Sequence, residues 1–64
     1  MENKRQFILA VNGKKRIIAG SGEWARREAQ RKVTTTNTVT LHEILPGGKE
    51  KLRHRWRFGK HDNI

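Results

Sequence analysis

From Lys49 to Phe58 the sequence alternates without a break. Lys49, Lys51, Arg53, Arg55 and Arg57 take every second position, and Glu50, Leu52, His54, Trp56 and Phe58 take the others. Successive side chains of a β-strand point to opposite faces, so this period is that of a strand. An amphipathic helix would repeat its apolar residues every three or four positions instead. A strand patterned this way belongs to a sheet with one covered face and one face turned to water. The rest of the chain has to supply its partners and the cover for its apolar side.

The nearest partner is the preceding strand, Val39 to Leu45, joined through the turn residues Pro46-Gly47-Gly48. With Leu45 opposite Glu50, Leu41 faces His54 and Val39 faces Trp56. Thr38, Thr40, His42 and Ile44 then lie opposite Arg57, Arg55, Arg53 and Lys51. A slip by one residue would place Val39 and Leu41 among the cations, so this is the register expected. It leaves Glu43 on the apolar side, where the alternation offers it no partner.

The first half supplies a second hairpin and the cover. Gln6 to Val11 is a short β-rich apolar run, followed by Asn12-Gly13 and a return strand from Lys14 to Ala19. Asn-Gly suits a type I′ turn, in which both central residues need positive φ. Ser21 is a good N-cap for a helix from Gly22 to about Val33, with Glu23 in the first turn where the helix dipole favours an anion. Trp24, Ala25, Ala29 and Val33 fall on one side of that helix. Arg27 and Arg31 lie on the other, with Arg26 and Gln30 flanking. The β-branched run from Thr34 to Thr40 leads back into strand. The expected fold is therefore α+β: a small β-β-α-β-β domain, one antiparallel sheet with a single helix packed on one face. Residues 6–59 form that domain, with flexible ends at 1–5 and 60–64. Large apolar residues are few, so Trp24, Trp56, Phe7 and Phe58 are all expected in the core.

The hairpin-then-helix order of residues 6–33, with its Asn12-Gly13 turn and basic helix, resembles in pattern the small sheet-based DNA-binding arms of mobile-element recombinases. No diagnostic motif accompanies the pattern, so no family follows from it. Lone basic α+β chains of this size are also common products of phages and plasmids, which is an association of fold and source only.

Composition narrows the function. Fifteen Lys and Arg stand against six Asp and Glu, a net +9 on 64 residues. A chain this short buries only a small core. Without cysteine it forms neither a disulfide nor a thiolate metal site. No apolar run approaches the roughly 20 residues that span a bilayer, and Phe7 to Val11 is too short for a secretory signal. A soluble, unexported, cytoplasmic protein without a membrane partner is expected. His42, His54 and His61 lack metal-ligand spacing, and the scattered acids make no catalytic pair, so neither cofactor nor enzymatic activity is expected.

The charge itself attracts polyanions. The leading candidate surface is the cation ladder Lys49, Lys51, Arg53, Arg55 and Arg57 beside Thr38, Thr40 and His42, groups that bond phosphate oxygens. A face that is merely solvated would mix charge signs. Secondary clusters are Lys14, Lys15 and Arg16 beside the first turn, and Arg26, Arg27 and Arg31 on the helix. The function expected is nucleic-acid binding through the phosphate backbone, with DNA slightly ahead of RNA because a two-stranded ribbon fits a groove. The alternative is a small interaction protein that docks on an acidic surface of a host protein and inhibits or modulates it. A monomer or a weak homodimer fits either reading.

Overall fold

The computed structural model describes residues 5–62. The terminal stretches expected to be flexible fall partly outside these residues, at 1–4 and 63–64. In chain order the elements are β1 (Arg5–Val11), β2 (Lys14–Gly20), α1 (Gly22–Arg31), β3 (Thr38–Ile44), β4 (Glu50–Arg57) and β5 (Lys60–Asp62). All strand pairs are antiparallel and form one sheet in the order β2-β1-β3-β4-β5. The α+β architecture expected from the sequence is the one that forms, with one more strand.

That strand corrects the reading of residues 60–64 as a tail: Lys60, His61 and Asp62 pair with Arg57, Trp56 and Arg55. The reason lies in Phe58 and Gly59, whose φ values of 53° and 83° match the 52° and 86° of Asn12 and Gly13. Both pairs are two-residue hairpin turns with positive φ at each central position. Phe58 therefore sits in a turn instead of continuing β4, and it is 64 % exposed where burial was expected.

Asn12 also aligns the two hairpins. Its backbone N–H donates to the Thr38 carbonyl at 2.9 Å, and its Oδ1 accepts from the Thr38 N–H at 3.1 Å. One turn residue thus ends β1 and sets the start of β3. β1 pairs with β3 with Leu9 opposite Leu41 and Val11 opposite Val39.

The core lies between the helix and one sheet face: Phe7, Leu9, Val39, Leu41 and Trp56 pack under Ala25 and Ala29. Two fully buried alanines let the helix backbone approach the sheet closely. Ser21 caps the helix as expected, its Oγ accepting the Trp24 N–H at 3.1 Å. Trp24 departs from expectation, being 41 % exposed. Ala25 and Ala29 define the line that faces the sheet, and Trp24 is rotated off it. Its ring lies on the backbone of Gly20, where an added Cβ would stand 2.5 Å from a ring carbon.

The two tryptophans should therefore differ in weight. Trp56→Ala empties a core site and should cost about 3–5 kcal/mol, whereas Trp24→Ala, which uncovers an edge, should cost about 1 kcal/mol. Urea unfolding followed by circular dichroism measures both, and equal losses would contradict this placement.

Candidate nucleic-acid interface

The expected β3–β4 register holds from Thr38 opposite Arg57 to Leu41 opposite His54, and then breaks. Between Leu41 and His42 the pairing shifts by one residue, so that His42 faces Leu52, Glu43 faces Lys51 and Ile44 faces Glu50. Arg53 is the extra residue of a β-bulge. Every β4 side chain before it is turned to the face opposite the one its alternation implied.

The cation ladder is thereby divided. Arg55 and Arg57 stay on the open face beside Thr40 and Thr38. Lys51 and Arg53 turn to the helix side, where Glu43 lies, and Lys49 precedes the strand. His42 is on the open face as expected, but its neighbour is Leu52, which was assigned to the core. The expectation that all five cations project from one face is therefore corrected.

Three of the five, Arg53, Arg55 and Arg57, lie against carboxylates. Glu43 is only 7 % exposed. It accepts from Arg53 Nε at 2.7 Å, and Arg5 Nε stands 3.7 Å from its other oxygen. Asp62 sits between two more: its Oδ2 is 2.7 Å from Arg55 Nε and 2.9 Å from Arg57 Nε. The hydrogen bond from Arg55, with the charge of Arg57, holds the Asp62 carboxyl below the usual carboxylate range. On the helix, Arg27 pairs with Glu23 at 3.5 Å and Arg31 with Glu28 at 3.3 Å.

Arg26 instead lines a small hollow with Gln30, Trp56 and His61. There His54 Nδ1 and His61 Nε2 are 3.0 Å apart, and both rings lie against Trp56 at centroid distances of 5.4 and 5.0 Å. Burial, followed by the charges of His61, Arg26 and Arg53, lowers the His54 pKa from the ordinary imidazole value.

The cluster at the first hairpin differs from the paired arginines. Lys14, Lys15 and Arg16 follow the Asn12-Gly13 turn on the sheet's edge strand, and the end of α1 brings Lys32 towards them. Together with Leu9 and Val11 these four line a groove of about 480 Å³. Lys14 and Arg16 stand on its helix side, opposite Val11 and Leu9, and Lys15, opposite Ala10, belongs to the open face. Among the described residues no carboxylate forms a salt bridge with any of the four. The run Lys14-Lys15-Arg16 was legible as a cluster in the sequence. That Lys32 joins it was not, because this depends on where the helix ends over the sheet.

No family model, curated protein or solved structure matches the chain. Among the described residues no helix is long and apolar enough to cross a membrane.

The bulge makes Arg53 a structural residue. Arg53→Gln leaves the Glu43 carboxylate buried with Arg5 as its remaining partner and should destabilise the fold by about 2 kcal/mol. Lys51→Gln should change stability by less than about 0.5 kcal/mol. Thermal melts of the two variants decide it, and equal stability would contradict the assignment.

Proposed function

We propose that this protein is a small nucleic-acid-binding module that grips the phosphate backbone chiefly through Lys14, Lys15, Arg16 and Lys32, with duplex DNA as the preferred partner. The observation that carries this reading is the contrast in charge compensation. The arginines of β4 lie against Glu43 and Asp62, while none of the four cations at the first hairpin is in a salt bridge among the described residues. Clustered like charges repel, and a phosphate backbone relieves that repulsion while releasing its own counterions. Arg55, Arg57, Lys60, Thr38 and Thr40 on the open face are secondary contacts. Nothing in this reading needs a cofactor, an enzymatic step or a membrane, and it suits a cytoplasmic protein.

A second reading has one observation in its favour. Across the open face Ile17, Ile8, His42 and Leu52 line up in one cross-strand row, and Ile17 is 66 % exposed. Such a row suits a protein surface better than a phosphate backbone. It supports docking on a partner protein, with the net charge steering the protein to an acidic one.

Fluorescence anisotropy with unrelated DNA duplexes and RNA separates the readings. Changing Lys14, Lys15, Arg16 and Lys32 together to Gln should abolish most binding. It should also flatten the log–log salt dependence by about 3.6 units, at about 0.9 for each of four lost phosphate contacts. Arg55→Gln with Arg57→Gln should have a smaller effect. Wild-type protein that ignores both nucleic acids at low salt would remove this reading and leave the protein-partner one.

A further inference from the structure

One edge of the sheet is short and the other is long. β5 offers three residues, and β2 offers seven with no strand beyond it among the described residues. The Asn12 N–H points to β3, where it donates to the Thr38 carbonyl. Backbone groups alternate sides along a strand, so those of Phe7, Leu9 and Val11 point to β2. Their partners there are Ile18, Arg16 and Lys14. The N–H and C=O groups of Lys15, Ile17 and Ala19 are consequently the ones that point away from the sheet.

We propose that the β2 edge pairs with the β2 edge of a second copy of this chain, antiparallel and centred on Ile17, joining two five-stranded sheets into one of ten strands. This goes beyond the nucleic-acid reading and does not depend on it. The charge pattern of the strand selects the register. Centred on Ile17, each Lys15 lies opposite Ala19 of the other copy, each Arg16 opposite Ile18, and each Lys14 opposite Gly20. No cation faces a cation, and all seven residues pair. Moving the centre to Arg16 would oppose Arg16 to itself, and moving it to Lys15 would oppose Lys15 to itself and Lys14 to Arg16. Moving it the other way shortens the overlap. Lysines on an edge strand ordinarily prevent pairing. Here they occupy one half of the strand and leave the other half, Ile17 to Gly20, uncharged. They therefore exclude the wrong registers and leave one open.

Two exposed side chains find partners in this arrangement. The row Leu52, His42, Ile8, Ile17 on the open face continues into Ile17 of the second copy, which covers the most exposed large apolar side chain among the described residues. On the helix face, Trp24 lies over Gly20, the residue opposite Lys14 of the second copy. That ammonium comes within reach of the ring, in a cation–π contact.

Sedimentation equilibrium and cysteine cross-linking test the proposal. Each copy carries +9, so salt screens their repulsion. The mass of nuclease-treated protein should rise towards twice the monomer with concentration, and more steeply at high salt. Binding to nucleic acid has the opposite salt dependence, so the two proposals fail independently. Ile17→Pro removes an outward N–H and leaves the β1 ladder intact; it should stay monomeric with an unchanged circular dichroism spectrum. Under diamide, Ile17→Cys should cross-link to a dimer, because opposed Cα atoms are about 5.5 Å apart. Lys15→Cys should not, its copies being roughly 14 Å apart along the strands. Monomer mass at the concentration of an NMR sample in high salt would overturn the proposal. So would dimers of Ile17→Pro as tight as wild type, or cross-linking at Lys15 as ready as at Ile17. If Ile17→Pro does not fold, the cysteine pair decides.

Discussion

A carboxylate removed from water must be paired, or it loses its charge. Glu43 lies on the helix side of β3, beside Phe7 of β1 and 7 % exposed. The residue that meets it is Arg53, which by simple alternation would stand on the opposite face. The bulge between Leu41 and His42 resolves this conflict. One extra residue in β4 brings the Arg53 guanidinium to the helix side, 2.7 Å from the carboxylate. The rest follows from that inserted residue: Lys51 turns towards the helix, Leu52 moves to the open face, and the alternating cations end up on two surfaces instead of one.

The sequence was legible wherever a local rule had no competitor. Asn12-Gly13, the Ser21 cap, the alanine line of the helix and the pairing of Thr38–Leu41 with His54–Arg57 all follow from spacing and residue type, and all form as read. The bulge was not legible, because period-2 alternation from Lys49 to Phe58 is the pattern of an unbroken strand. Its one signal was Glu43, a charge that the ideal register left on the apolar side without a partner. Phe58-Gly59 was misread for a related reason. A phenylalanine at the apolar phase of a strand looks like core, and positive φ is rare for such a residue. With Phe58 in the turn, β5 brings Asp62 to Arg55 and Arg57. Long-range pairing of charge, rather than propensity, decided both places.

Charge is spread along the whole chain, but its compensation is not. β4, read from sequence as the most cationic strand, lies between Glu43 of β3 and Asp62 of β5. The hairpin end of the edge strand, a secondary cluster in the sequence, has no salt bridge among the described residues and gains Lys32 from the helix. The field that a polyanion meets depends on this difference more than on the number of lysines and arginines in any one segment.

An amide chemical-shift titration of labelled protein with a short DNA duplex at low salt tests the central claim most directly. The account predicts the largest changes at Asn12–Ile17 and around Lys32, with small ones along Lys51–Arg57. Changes centred on Lys51–Arg57, with Lys14–Arg16 unmoved, would contradict it.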